Sequence, residues 1–425
     1  MRLMANESFR ALRPVRTGRL TALAIICYVD LLFFPYFQKI IIPFSLPIAL
    51  MGLLACRRIK FPPQETNIIM LVGLFMVVSV TASLFLPQSS PYLIENIKRM
   101  LQFFTSFFYF MLFYHVARHS RIENILVIIS VLFLVYFASW LIFFIYDPLA
   151  VNSLLASLYG RLVTSSEVVA THTRFAYLFT DPNTAGYFLL IAVLPWLLIV
   201  RSYILKISII TTCAVAVIFL GSRGALLALI LAVGLWANPL RAIFLRFTER
   251  DFKEVLKFVF VASIVGVVFA ITLPRIFSDL PVFVRVIERV SNVEAFQTGG
   301  SRFAIWTEYA GSLMPLPIGR GYMFDTIYGG RFVPHSDFLR MVYSYGFIVA
   351  VLFVAWILRL GWRYPLLVVP ALMAFGINTL IDEQKLFAVF LGTLGVFVGM
   401  QQRYFDLKSR SGTSNITINV SCTNK

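Results

Sequence analysis

The chain consists of long apolar runs separated by short polar segments. About twelve of these runs approach the length that an α-helix needs to cross a bilayer. At 59% hydrophobic and 13% charged residues, the chain has more apolar side chains than the interior of a soluble 425-residue protein would need. The sequence therefore predicts an all-α fold, that of a polytopic integral membrane protein. The predicted spans lie near residues 20–37, 40–56, 67–86, 100–117, 122–146, 182–200, 204–220, 224–238, 258–273, 338–358, 365–380 and 386–400.

The apolar runs divide the chain into four regions. Residues 1–273 hold predicted transmembrane helices 1 to 9, residues 274–337 form a long loop, residues 338–402 hold helices 10 to 12, and residues 403–425 form a cytoplasmic tail. Apolar residues recur at helical spacing in the long loop, which predicts an amphipathic helix. That helix could lie along the outer membrane surface or pack as a lid on the rest of the loop. Its apolar positions are Val282, Phe283, Val286, Ile287, Val290 and Val293.

Basic residues indicate which ends of the spans face the cytoplasm. When the 37 Lys and Arg are sorted between the two alternating sets of loops, 23 fall in the set that contains both termini. Short cytoplasmic loops carry the excess of positive charge, so both termini are predicted to be cytoplasmic. The opposite, outer face then receives three features together, namely the 147–181 loop, the 221–224 turn and the 274–337 loop.

The formal net charge of +17 raises the question of nucleic-acid binding. However, the basic residues are dispersed at the ends of apolar runs and form neither a stripe nor a recognisable binding motif. Charges that set membrane topology explain this distribution better. Three of the four cysteines fall inside apolar runs and one in the tail, which predicts neither a disulfide framework nor a cysteine metal site. The composition thus favours a membrane protein that does not bind nucleic acid.

Two arginines stand where helix N-termini are predicted on the outer face. Arg223 lies in a tight turn between two apolar runs, and Arg302 follows the helix-start signal at 299–301. Unpaired N–H groups, the helix dipole and a guanidinium together suit phosphate. Two such sites could hold a diphosphate without a divalent metal, and no acidic pair with metal-ligand spacing lies nearby. We expect no metal and no cofactor; the alternative for Arg223 is contact with lipid phosphates.

His335 precedes a third predicted helix start on the same face. Nearby arginines and the helix dipole disfavour a charged imidazole, which leaves a neutral ring able to accept a proton. A loop histidine without a catalytic role is the alternative. Asp337 falls in the first helical turn, where it could pair with Arg340 one turn further on. A further helix start is predicted at Asp181 and Pro182, with Asp181 as the capping residue.

Five short motifs in this part of the chain resemble those of the bacterial O-antigen ligase and polymerase family. They are FTDPN at 179–183, GSRGA at 221–225, SRFAIW at 301–306, GRG at 319–321 and HSDFLRMVYSYG at 335–346. The resemblance covers about residues 175–360. It rests on the order, the spacing and the shared predicted membrane face of the motifs.

The resemblance implies a GT-C-like glycosyltransferase of the bacterial inner membrane, with its active site on the periplasmic side. Such an enzyme transfers a glycan from an undecaprenyl-diphosphate carrier to an acceptor hydroxyl, with inversion and without a metal. Arg223 and Arg302 would hold the diphosphate, and His335 would take the acceptor proton. Further candidates for substrate binding are Asp337, Arg320, Arg340 and Asn183. The implied partners are the lipid-linked oligosaccharide, the glycan acceptor, membrane lipids, a chain-length regulator and a flippase.

Three other functions remain open at this point. Many ligases of the family carry His-Asn where this chain has His335-Ser336-Asp337, which favours a polymerase of O-antigen, capsule or exopolysaccharide units over a ligase that transfers glycan to lipid A core. A transporter or flippase for lipid-linked glycans would more often show paired repeats and charges at mid-membrane, whereas the charges here gather at one face. In the last interpretation, Arg223 and Arg302 are structural and the long loop recruits partners.

Overall fold

The computed structural model describes residues 18–34, 43–55, 63–85, 93–159, 175–179, 181–237, 306–307, 315–319, 321, 336–361 and 363–410. Regular secondary structure in these residues is helical, without a strand, which confirms the predicted all-α class. The helices are α1 (Gly18–Phe33), α2 (Leu46–Leu54), α3 (Pro63–Ser83), α4 (Leu93–His119), α5 (Glu123–Tyr146), α6 (Pro148–Tyr159), α7 (Pro182–Val193) with the 3₁₀ turn Leu194–Leu198, α8 (Tyr203–Phe219), α9 (Arg223–Trp236), α10 (Asp337–Ser344), α11 (Phe347–Gly361), α12 (Pro365–Ile377) and α13 (Gln384–Arg410).

Three stretches of the described chain are long and apolar enough to cross a membrane. They are Ile97–His119 in α4, Glu123–Tyr146 in α5 and Gln384–Ser409 in α13. Shorter apolar helices surround them, including α8, α9 and α12. Only a third of the α5 window is buried inside the protein, and apolar side chains such as Ile128, Leu132 and Val135 are exposed, as lipid contact requires. These helices indicate a membrane-associated protein.

Eleven of the twelve predicted apolar runs overlap helices, although the helix in the 40–56 run is only Leu46–Leu54, and the twelfth run, 258–273, lies outside the described residues. Two details of the predicted organisation need correction. Residues 148–159 of the predicted 147–181 loop form α6. The run 338–358 is not one helix, because it breaks at Tyr345 and Gly346 into α10 and α11.

The break between α10 and α11 has a clear backbone cause. Gly346 has a φ of +100°, a conformation that favours glycine and ends a right-handed helix. Residues 315–319 and 321 lie against the break, where Phe347 N–H donates to Leu316 O at 3.0 Å and Gly321 N–H donates to Ser344 O at 2.8 Å. Backbone groups that helix termination exposes are therefore satisfied by a distant part of the chain.

Helices α4 and α13 form the most extensive helix pair in the described core. They run parallel, since Phe103 in the first half of α4 stacks on Phe387 near the start of α13, with ring centroids 5.5 Å apart. Near the other end, Arg118 of α4 and Asp406 of α13 form an ion pair at 2.8 Å. Small residues permit the close approach, because Gly392, Gly395 and Gly399 face α4.

This parallel pair gives the helix bundle two distinct ends. One end, called here the Asp337 end, gathers the starts of α7, α9, α10 and α13 and the end of α12. The opposite end holds ion pairs that join α13 to the α4–α5 connection, among them Arg403 with Glu123 at 2.5 Å. Predicted cytoplasmic charges such as Arg118 and Arg403 thus lie at the end opposite Asp337.

Candidate functional site

The start of α10 forms as the sequence predicted. Ser336 is the N-cap, and its hydroxyl accepts a hydrogen bond from Leu339 N–H at 3.3 Å. Asp337 follows in the first turn and is 3% exposed. A capping Ser and an acidic residue in the first turn both stabilise a helix N-terminus. His335, the candidate base, precedes Ser336 in the chain and lies outside the described residues.

The Asp337 carboxylate is bound by a second element, the segment 378–383 between α12 and α13, called here the α12–α13 loop. Its Oδ2 accepts hydrogen bonds from the backbone N–H groups of Leu380 at 2.5 Å, Ile381 at 2.6 Å and Asp382 at 3.3 Å. Asp337 N–H in turn donates to Asn378 O at 3.1 Å. Successive N–H groups directed at one oxygen form an anion-binding concavity, which Asp337 fills.

Two arginines flank this arrangement. Arg340 forms an ion pair with Asp382 of the loop, and its separation from Asp337 Oδ1 is longer, at 3.9 Å. Arg99 of α4 donates to Asp382 O at 2.9 Å and approaches Asp382 Oδ1 at 3.8 Å. The expected pairing of Arg340 with Asp337 is therefore secondary to an ion pair with a residue 42 positions further along the chain.

Asp337 also lines a small cavity. Asp337 Oδ1 is buried and, within the described part of the chain, accepts no hydrogen bond. The cavity has a volume of about 20 Å³, close to the space that one water molecule occupies. Burial raises the pKa of the Asp337 carboxyl, whereas Arg340 and the N–H groups of Leu380 and Ile381 act in the opposite direction. The cavity lining consists of Arg99, Asp337, Arg340, Met341, Tyr345, Ile381 and Asp382.

The start of α7 is tied to the same loop. Asp181 caps α7, as predicted, by accepting from Asn183 N–H at 3.0 Å, and the Asn183 side-chain amide donates to the same carboxylate at 2.9 Å. The Asn378 amide is assigned in the orientation that satisfies its neighbours. It then donates to Asp181 Oδ2 at 2.9 Å and accepts from Thr184 N–H at 3.1 Å. One residue of the α12–α13 loop thus contacts the starts of both α7 and α10.

The start of α9 lies beside α7 and the end of α12. Ser222 is the N-cap, with its hydroxyl accepting from Ala225 N–H at 3.4 Å, and Arg223 is the first helical residue, as predicted. Gly224 is closely packed, since a Cβ added there would lie 2.7 Å from Ile377 Cδ1 of α12 and in still closer contact with Tyr187 Oη of α7. The tight turn that carries Arg223 therefore belongs to the Asp337 end.

The structure brings several candidate residues to one end of the bundle and leaves others undescribed. Asn183, Arg223, Asp337 and Arg340 all belong to helix starts at the Asp337 end. His335, Arg302 and Arg320 lie outside the described residues, although Gly319 and Gly321 on either side of Arg320 are placed. In the described ranges, no group of three His, Cys, Asp or Glu side chains is arranged to hold a metal ion.

The sequence patterns did not identify the α12–α13 loop or its partner Arg99 as part of the candidate site. The signal was present, because residues 378–385 read NTLIDEQK, a polar interruption between two apolar runs. Lys385 in this run is fully buried and donates to Asp30 O at 3.0 Å and to Phe34 O near the end of α1. Charged residues at the end of a membrane helix rarely reveal from sequence whether they contact water, lipid or another helix.

Comparisons with protein-family models, with curated proteins and with solved structures found no match to this chain. The geometry of the Asp337 end is therefore the main evidence on function. It combines three capped helix N-termini, two arginines that contact Asp382 of the α12–α13 loop, and a carboxylate oxygen without a hydrogen bond among the described residues. Helix N-termini and guanidinium groups both favour anionic ligands.

Proposed function

We propose that this chain is an inverting, metal-independent glycosyltransferase of the bacterial inner membrane. It polymerises undecaprenyl-diphosphate-linked repeat units of O-antigen, capsule or exopolysaccharide. In this proposal the chain has about twelve transmembrane helices in a GT-C-like arrangement, and the Asp337 end faces the periplasm. The motif resemblance to O-antigen ligases and polymerases supports the choice of donor.

The observation that carries the proposal is the convergence of the starts of α7, α9 and α10 at one end of the bundle. These three starts contain the FTDPN, GSRGA and HSDFLR motifs, which lie far apart in the sequence. Asn378 links α7 to the α12–α13 loop, which binds Asp337, and Gly224 of α9 packs against α7 and α12. Three helix N-termini at one end direct positive dipole ends to one region, which favours a diphosphate.

The proposed reaction is a single displacement at the anomeric carbon of the donor sugar. The acceptor hydroxyl attacks from the face opposite the diphosphate, a new glycosidic bond forms, and the bond to undecaprenyl diphosphate breaks, which inverts the configuration. Arg223 and Arg302 bind the diphosphate and stabilise its charge as it leaves, in the role that a divalent metal has elsewhere. His335 takes the proton of the acceptor hydroxyl.

Two features favour an enzyme that joins repeat units over its rivals. His335-Ser336-Asp337 departs from the His-Asn of many ligases, so acceptor binding is expected to differ from that of lipid A core. The ion pairs of the described chain gather at the two ends of the bundle, whereas a transporter would more often carry charges at mid-membrane. Ligase and transporter remain the outcomes against which the proposal is tested.

The test is an assay of the purified protein with a synthetic undecaprenyl-diphosphate repeat unit in the presence of EDTA, with products resolved as a gel ladder. We expect a ladder from the wild type and none from His335→Ala or Arg302→Ala. Arg223→Lys should lose most activity, because lysine cannot bind a diphosphate in the bidentate manner of arginine. Arg201→Lys is the matched control, since Arg201 is exposed and follows the far end of the 3₁₀ turn after α7.

The possible outcomes separate the candidate functions. A wild-type ladder that persists in EDTA, is absent from His335→Ala and Arg302→Ala and is strongly reduced in Arg223→Lys supports the polymerase and the three residue roles. Product that forms only when lipid A core is added would identify a ligase. Folded wild-type protein that binds the donor but forms no glycosidic bond with either acceptor would overturn the transferase and favour a transporter.

A further inference from the structure

The α12–α13 loop joins helices that carry separate sequence motifs. Its Asn378 contacts the cap of α7, the N–H groups of Leu380 to Asp382 bind the Asp337 carboxylate of α10, and Asp382 receives Arg99 of α4. Polar contacts thus connect this one short segment to α4, α7 and α10. The relative placement of α7 and α10 therefore depends on how this loop is held.

A purely stabilising role explains these contacts poorly. Two aspartates and two arginines are withdrawn from water here, with exposures between 3% and 19%. Desolvating such groups costs about as much as their attraction returns, and apolar residues of similar volume often stabilise a fold better. What a buried ion-pair network does supply is a defined geometry, because each partner accepts only a narrow range of positions.

The two oxygens of the Asp337 carboxylate have unequal contacts. Asp337 Oδ1 is buried and accepts no hydrogen bond from the described residues, although the other oxygen of the same carboxylate accepts three. A carboxylate chosen only to stabilise α10 would have no need of the loop, since Ser336 already caps that helix. The hydrogen bonds that the Asp337 carboxylate accepts thus come from the α12–α13 loop and not from its own helix.

We propose that Asp337 and Arg99 are positioning residues for the transferase reaction, acting by holding the α12–α13 loop between α4 and α10. Asp337 binds the loop from the α10 side through three backbone N–H groups, and Arg99 binds it from the α4 side through Asp382. The loop in turn fixes where the starts of α10 and α7 stand relative to each other. This inference rests on the proposed transferase function, and it places Asp337 in contact with protein backbone instead of substrate.

The experiment measures catalysis and loop protection on the same purified proteins. Asp337→Asn keeps the shape of the side chain but removes the charge that draws the three N–H groups and Arg340. We expect kcat to fall about tenfold or more, because small displacements of reacting groups are costly. KM for the lipid-linked donor should stay within about threefold, since uniform substrate binding is retained. Hydrogen exchange of peptides covering residues 378–383 should accelerate about tenfold in the same variant.

A second variant and a matched control keep the result interpretable. Arg99→Gln acts on the loop from α4, far along the chain from Ser336, and should give the same pair of changes even if Asp337→Asn folds poorly. Glu123→Gln is the control, because it breaks a comparable partly buried ion pair with Arg403 at the opposite end of the bundle. It should lower the unfolding temperature without changing kcat per folded molecule or the exchange of residues 378–383.

The outcomes distinguish failure of this inference from failure of the proposed function. If the wild type is active and Asp337→Asn raises KM while loop exchange stays unchanged, Asp337 contacts substrate and the positioning role is wrong. If both variants loosen the loop yet retain wild-type kcat, the role is structural and the inference is again overturned. A wild type that forms no product with any acceptor overturns the transferase itself, whatever the variants show.

Discussion

Gly399 of α13 lies so close to Tyr114 of α4 that a Cβ added at Gly399 would stand 2.5 Å from the Tyr114 carbonyl oxygen. Gly395, one turn earlier, is in still closer contact with Phe110 O. Together they form a small-xxx-small pattern, in which the absence of side chains lets two helix backbones approach in an apolar environment. The parallel contact of α4 and α13 sets which helix ends meet, and so it also determines what lies at the Asp337 end.

Gly399→Ala should therefore force α4 and α13 apart. We expect a loss of about 1–3 kcal/mol of stability, the usual cost of overpacking a well-packed core. The unfolding temperature in detergent or nanodiscs measures it. Gly376→Ala in α12 is the matched control, because a Cβ at Gly376 meets nothing within 4 Å. An unchanged unfolding temperature for Gly399→Ala would show that α4 and α13 do not pack as described.

Tyr28 links three helices through its hydroxyl group. The Oη lies 2.7 Å from Ser130 Oγ and donates to Ala192 O at 3.2 Å, and it accepts from Trp196 Nε1 at 3.0 Å. Tyr28→Phe removes these bonds and leaves buried polar groups with fewer partners, which should cost about 1–3 kcal/mol. Thermal unfolding tests this. Tyr146→Phe is the control, since Tyr146 is 73% exposed, and equal effects of the two substitutions would contradict the buried network.

Lys385 holds the end of α1 through backbone carbonyl groups. Lys385→Met keeps an unbranched side chain but removes the donors to Asp30 O and Phe34 O, so the last turn of α1 should open more often. Cys27, one turn before Asp30 and fully buried, reports on this opening. In a background without Cys56 and Cys422, maleimide labelling of Cys27 should accelerate about tenfold.

Buried Cys213 of α8 serves as the internal reference for the labelling measurement. Its rate should stay unchanged if Lys385→Met acts locally on α1. Equal acceleration at Cys213 and Cys27 would indicate global destabilisation, and no acceleration at Cys27 would show that Lys385 does not secure the end of α1.

Local sequence signals predicted the starts of α7, α9 and α10, because a cap involves residues only a few positions apart. Asp181, Ser222 and Ser336 each accept from a backbone N–H two or three residues ahead, which the order of residue types reveals. The all-α class follows equally directly from the length of the apolar runs. Neither conclusion needs any knowledge of which helices are neighbours.

Long-range contacts could not be predicted in the same way. Arg340 has Asp337 within one turn, yet it pairs with Asp382 of another element. Arg99 contacts the same residue across 283 positions of sequence. The 338–358 run breaks at Gly346, where Leu316 and Gly321 bond to the exposed backbone groups, although the apolar pattern continues on both sides of the break. Such features arise from tertiary packing, which periodicity does not encode.

Gly224 offers a test of how α9 is seated beside the candidate diphosphate residue Arg223. Gly224→Ala places a methyl group against Tyr187 Oη of α7, so the start of α9 has to shift or the tyrosine has to move. We expect about tenfold loss of transfer activity, because Arg223 moves with the helix start. Tyr187→Phe removes the clashing atom, so the double variant should recover much of that loss.

A double-mutant cycle decides between this steric mechanism and a general one. The activities of wild type, Gly224→Ala, Tyr187→Phe and the double variant give a coupling free energy between positions 224 and 187. It is large only if the added methyl group and the Tyr187 hydroxyl compete for the same space. Ile377 Cδ1, the other close atom, is the flexible end of a side chain and can turn away. Additive effects of the two substitutions would show that α7 does not set the position of the α9 start.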